Sequence, residues 1–427
     1  MPFGLALSAL VLSFSGGCNR MLSTAPLAST SKPSSTVYTP PQATNMLGCG
    51  LYNFYQSQSG NIFFSPFSII TCVAMAQEGA VGPTQTQMQT VLNLNPNTTT
   101  RLTGFQQLIG EINSPSRPYT LATADNLWPQ QNFSILSSYV SILQNYYDSG
   151  VTALNYGNPA GAAQTIDGAV SQETDGYIPN LLNASEVSGA ALVLTNAIYF
   201  QANWQSQFVT SGTIPQTFNL TSTTSETVSM MNETLNTPIG NYNGAASVIA
   251  LPYTNDGASM YIFLPPLGGM TTLEGLMTGS NINSWLAANS ASMAVSGPSV
   301  PSVALSLPKF TFSTNYQLRA TLSSMGMPLA FTIPNPTTGA GANFSGIDGN
   351  QDLYISQVIH QAYIDVTETG TAAAATAVVM IYIEGTFIPL STPISFTVDH
   401  PFIFMIVDNA TNTVLFMGRV NDPLSTS

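Results

Sequence analysis

The chain has 427 residues, of which 7 are Lys or Arg and 20 are Asp or Glu, so the formal net charge is −13. Only 6% of residues are charged, against roughly 25% in an ordinary soluble domain. With 44% hydrophobic residues the chain is not disordered, and no apolar run reaches the ~20 residues of a spanning helix. Lys32 and Lys309 are the only lysines, which leaves no basic patch for nucleic acid. Ser, Thr, Asn, Gln and Tyr replace the missing charges and hydrate a surface without titrating at neutral or acid pH. Few ionisable groups mean a weak dependence of stability on pH, so an acidic exterior is the expected setting.

Residues 3–14 form a short apolar stretch followed by Ser15-Gly16-Gly17-Cys18. That length and flank suit an export signal over residues 1–18, and the end resembles a bacterial lipoprotein box with Cys18 as the lipidated residue. An extracellular or cell-surface location follows as an expectation. Residues 19–44 are rich in Ser, Thr and Pro and read as an extended linker, with one domain over 45–427. Cys49 and Cys72 read as two buried thiols or a single bridge. No C-x-x-C occurs, and no zinc, redox or other metal or cofactor site is predicted.

Helical spacing of apolar residues covers Asn45–Ser57. Pro66 then opens a helix that is apolar almost all round and stops at Glu78-Gly79-Ala80. Strand-like segments follow at 191–200, 247–253, 259–265, 303–312, 362–366, 402–408 and 413–420, with shorter helices near 273–289 and 315–325. Early helices followed mainly by long strands predict an α+β domain built on a large shared sheet.

Several of these blocks resemble the serpin family. They are NIFFSPFSI (61–69) with GAVGPTQTQM (79–88), LVLTNAIYFQANW (192–204), ALPYTNDGASMYIFLP (250–265), LPKFTFSTNYQL (307–318), IHQAYIDVTETGTAAAATAV (359–378) and DHPFIFMIVDNATNTVLFMGRVNDP (399–423). They occur in the family's order and spacing over residues 45–425. The resemblance implies three β-sheets, eight or nine helices and an exposed reactive-centre loop near the C-terminus.

Read without the family, Thr371–Thr376 is small and free of proline, and 377–383 is β-branched and apolar. It is an ordinary core strand or a surface segment with strand propensity. Small side chains favour the second reading, because they can pass into a crowded sheet where a charged one would be buried without a partner. Gly370 supplies backbone freedom before the run. The resemblance matches this segment to the serpin hinge: Glu368, Gly370, Thr371, Ala372, Ala373, Ala374 and Ala375 fit the inhibitory pattern, with Ala372 in place of the usual Glu. It implies suicide inhibition of a serine protease by loop cleavage and strand insertion; the other outcome is a non-inhibitory serpin acting as a surface binding or structural protein. Counting from the hinge gives Glu384-Gly385 as the scissile bond. A one-residue slide gives Ile383-Glu384, and counting back from Pro401 gives Leu390-Ser391. None of these offers Arg or Lys, so the implied target is not trypsin-like, and in an acidic medium it is an acid-active serine protease met by a monomeric inhibitor.

The resemblance also implies that Ser65, Ser68, Asn196 and His360 lie beneath the central sheet where its strands part, with Trp204 and Phe200 near the top of that gap. Each of these residues also has a plain reading as core. An enzyme reading fares poorly. Asp399-His400 are adjacent and are not expected to orient one another as a triad would, Asp148-Ser149-Gly150 lacks the second copy of an acid protease, and neither G-x-S-x-G nor H-E-x-x-H occurs.

Overall fold

The computed structural model describes residues 37–293, 300–335, 337–371 and 392–426. Helix α1 (Pro40–Tyr55) leads through β1 (Ile62–Phe64) into α2 (Pro66–Glu78), α3 (Pro83–Val91), α4 (Thr98–Ile112), β2 (Thr120–Pro129), α5 (Ser137–Tyr146), α6 (Pro159–Glu173) and α7 (Ala184–Val187). There follow β3 (Leu192–Asn203), β4 (Ile214–Asn219), β5 (Ser225–Asn236), β6 (Ile239–Tyr242), β7 (Ala246–Pro252) and β8 (Ala258–Leu264). The rest is α8 (Met270–Leu276), α9 (Gly279–Met293), β9 (Ser302–Pro308), β10 (Phe310–Gln317), α10 (Leu318–Ser324), α11 (Ser345–Asp348), β11 (Ile355–Val366), β12 (Gly370–Thr371), β13 (Ile394–Thr397), β14 (Phe402–Asp408) and β15 (Thr413–Val420).

Eleven α-helical segments thus appear among the described residues where eight or nine were expected. The excess comes from α7 and α11, single turns of 4 residues each. The first helix begins at Pro40, inside the stretch read as linker, because Thr39 and Gln42 form a capping box around its first turn. Helix α2 is buried on every side from Pro66 to Gln77, as its all-round apolarity predicted. Its start is fixed by Pro66 and by Ser65, whose Oγ accepts the Ser68 amide at 3.1 Å.

Three sheets carry the fold. One has the order β1-β15-β14-β8-β7-β6 and one the order β13-β9-β5-β4. The third, central sheet runs β10-β11-β3-β2, with β12 entering between β11 and β3 at one end. The segment 303–312, read as one strand, is two strands in different sheets: Pro308 ends β9 and Lys309 makes the step to β10. Likewise 315–325 is the end of β10 followed by α10. The segment 362–366 is the end of the longer strand β11. Cys49 and Cys72 are buried free thiols, so the single bridge is not formed. Among the described residues no helix is long and apolar enough to cross a membrane.

Candidate functional site: the gap in the central sheet

Strands β11 and β3 run parallel and pair from Ile355–Leu192 to Ala362–Ile198. Beyond that point they part. Thr371 occupies the space, pairing with Val366 of β11 and with Ala202 of β3, while Gly370 pairs with Asn203. The first two residues of the predicted insertion segment are therefore already seated as a short antiparallel strand. A Cβ on Gly370 would lie 2.1 Å from the Ala202 carbonyl oxygen and 2.7 Å from the Asn203 Cα. Only glycine permits so close an approach to the β3 backbone.

The chain leading into β12 is held from several sides. The Trp204 amide donates to the Thr369 carbonyl at 2.9 Å and its indole Nε1 to the Thr367 carbonyl at 2.9 Å. The indole stacks on Tyr253 with centroids 4.6 Å apart. The Tyr253 hydroxyl shares a buried 2.6 Å hydrogen bond with Thr371 Oγ1, and Phe200 meets the Tyr253 ring edge-on at 5.1 Å. Glu368 accepts from Lys309 Nζ at 2.8 Å and from Thr213 Oγ1 at 2.7 Å. Burial pushes the Glu368 carboxyl up, but the bonds from Lys309 and Thr213 and the Lys309 charge bring it below its ordinary value.

Below the gap, where β3 and β11 are still paired, lies a chain of hydrogen bonds whose directions can be read from its ends. The Ser65 amide donates to His360 Nε2 at 3.1 Å. That nitrogen must then be unprotonated, so Nδ1 carries the proton and donates to Asn196 Oδ1. The Asn196 amide in turn donates from Nδ2 to Ser68 Oγ and to Asp125 Oδ1. Ser68 Oγ also donates to Asp125 Oδ1 at 2.9 Å, and Ser65 Oγ donates to the Leu415 carbonyl at 2.6 Å. Burial lowers the His360 imidazole to about 3, so it stays neutral. The chain crosses the paired seam of the sheet, since His360 belongs to β11 and Asn196 to β3, and the two face one another in register.

Ser65, Ser68, Asn196 and His360 are thus brought together where β3 and β11 are paired, and Trp204 with Phe200 stands toward the end where these strands part. Ala372, Ala373, Ala374, Ala375, Ile383, Glu384, Gly385, Leu390, Ser391 and Cys18 lie outside the described residues. Asp125, Tyr253, Lys309 and Thr213 were missed. Tyr253 and Lys309 lie inside family blocks that gave them no role, and Asp125 and Thr213 lie outside those blocks; Asp125 is brought to its place by pairing opposite Asn196. One expectation about the rejected triad needs correcting. Asp399 and His400 do meet, Oδ1 to Nδ1 at 2.7 Å, because the backbone bends after β13. His400 Nε2 faces the Pro265 carbonyl at 2.7 Å, so both ring nitrogens are engaged. Asp148 has the positive φ of a turn residue after α5.

A family model described as serpin (serine protease inhibitor) matches residues 42–423. An uncharacterized serpin-like protein of Thermococcus kodakarensis is 36% identical over 389 residues, covering 89% of this chain and 85% of its own. The leukocyte elastase inhibitor of Bos taurus is 33% identical, covering 86% and 94%. Among solved structures, human thyroxine-binding globulin superposes with a TM-score of 0.76 at 27% identity, covering 91% of this chain and all of its own. Serpin48 of the insect Tenebrio molitor gives 0.73 at 26%, covering 90% and 97%. The chain belongs to the serpin family, and its three sheets and helices form the serpin fold.

Proposed function

We propose that this protein is a suicide inhibitor of serine proteases. The protease's serine attacks the loop after residue 372, an ester forms between its Oγ and the loop carbonyl, and the new amino end departs. Strand insertion then outruns hydrolysis of that ester and carries the protease with it. The observation that supports this most is β12, already paired to both β11 and β3. Continuing its register would bring Ala373 beside Phe200, Ala375 beside Ile198 and Ala377 between Asn196 and His360. Those are small side chains for the positions facing the core, where bulk or charge would have no room.

Glu384-Gly385 is the preferred scissile bond, with Ile383-Glu384 and Leu390-Ser391 as the others. The target class is elastase-, subtilisin-, chymotrypsin- or glutamate-specific rather than trypsin-like, in keeping with a relative named as an elastase inhibitor. The expected setting is extracellular or cell-surface, with Cys18 as a lipid anchor and an acid-active protease as partner. Incubation with a panel of serine proteases, read on denaturing gels, tests this. A stable covalent complex with one of them is expected, and mass spectrometry of the released C-terminal fragment fixes the bond. Cleavage with no complex against every protease overturns it in favour of a non-inhibitory role, such as the name of thyroxine-binding globulin implies for that protein.

A further inference from the structure

The hydrogen-bond chain across the paired seam of β3 and β11 ends on two titratable groups of opposite sense. His360 is enclosed at one end, with the Ser65 amide donating to Nε2, an arrangement that excludes the imidazolium. Asp125 is at the other end, at the edge of a cavity of about 680 Å³. That cavity is also lined by Glu173 from α6 and by Tyr147 and Asp148 after α5, and no Lys, Arg or His lines it. From α2 the neighbours are Ser68 and the buried Cys72 thiol, which Asp125 helps to push up. Among the described residues no cation therefore compensates the carboxylate. Asp125 is half-buried at the cavity edge; partial withdrawal from water raises it to about 7, the bonds from Ser68 and Asn196 oppose this, and Glu173 adds to it.

We propose that Asp125 and His360 are a compensating proton pair: the closed sheet holds on the carboxyl the one proton that the two groups, once separated in water, hold on the imidazole. Around pH 5, about midway between the ordinary values of 3.8 and 6.5, the solvated groups bind one proton, on histidine. The folded pair also binds one, on Asp125. Folding then neither takes up nor releases a proton, and the two pH dependences cancel. A buried neutral histidine alone loses stability as pH falls through 6.5. A buried carboxyl alone gains stability as pH falls through its raised folded value. Parting β3 from β11 breaks the His360–Asn196 bond but leaves Asp125 paired to Asn196 across β2 and β3, so the balance applies to unfolding. It holds whether or not the molecule traps a protease.

The test is a double-mutant cycle with Asp125→Asn and His360→Gln, neither of which can titrate. Urea-unfolding midpoints and native half-lives are measured on the full chain between about pH 7.5 and 4.5. Relative to the parent, Asp125→Asn is expected to lose stability on acidification, approaching about tenfold in the unfolding constant per pH unit below His360's ordinary value. His360→Gln is expected to gain stability over the same range, and the double variant to run parallel to the parent. If one single variant fails to fold, the tilt of the other decides. Single-variant profiles parallel to the parent overturn the proposal, as does a tilt of either in the opposite direction.

Discussion

Glu368 holds the mouth of the gap with two short bonds, but its partner Lys309 has a side chain 37% exposed. Solvent screening keeps such a pair modest, about 1 kcal/mol. Glu368→Gln is therefore expected to lower the unfolding midpoint by about 2 °C at neutral pH and to shorten the native half-life. The Glu368 carboxyl sits below its ordinary 4.5, so its contribution is present above that value and lost as pH falls through the folded value. The difference between parent and Glu368→Gln should accordingly vanish in strong acid; a difference that persists there means the ion pair is not the cause. Thr371 makes the sharper case. Its hydroxyl is buried on Tyr253, and Thr371→Arg would bring a guanidinium into that space with no acid facing it. Trapping should be abolished while loop cleavage continues, which the ratio of complex to cleaved inhibitor on a gel measures.

At the scale of elements, β12 is the piece whose disturbance should be most informative. Gly370→Val drives two branches into the Ala202 carbonyl, so β12 cannot keep its pairing to β3. Amide exchange at Thr371 and along the top of β3 should quicken, while exchange within β14 and β15 should not change. The same scale shows what was legible. Helix α2 announced itself by Ser65-Pro66 and an unbroken apolar run, and β3, β14 and β15 by runs of buried β-branched and aromatic residues. Strand β2 was invisible because TLATADNLWP mixes polar and apolar residues, half of them only half-buried. With it went Asp125, whose role exists only through its pairing with Asn196. Strands β4 to β6 were missed for the same reason. Their burial alternates irregularly, so periodicity gives little. Ser65, Ser68, Asn196 and His360 were found only through the family blocks that contain them. No spacing in the chain predicts contact between positions 164 apart, as His360 and Asn196 are.

Across the whole molecule, carboxyls meet carboxyls where bases are scarce. Glu226 lies against Asp422 and Asp348 against Asp352, and each first-named group is raised, mainly by burial and further by its acidic neighbour. Buried Glu226 Oε1 and Asp348 Oδ2 have no hydrogen-bond donor in the structure. A shared proton satisfies such a pair, so these contacts tighten as pH falls toward the raised values and loosen as it rises through them. Glu368 works in the opposite sense, and Asp125 with His360 is close to neutral. These contributions oppose one another, and few other charges remain to tip the sum. A shallow dependence of the unfolding midpoint on pH follows between about pH 7 and 3, with added salt changing it little, since exposed ion pairs contribute little to hold. A thermal scan across that range checks this directly: a steep acid transition would show that protonation opens the sheet, and the low-charge surface would then have no bearing on the setting of the protein.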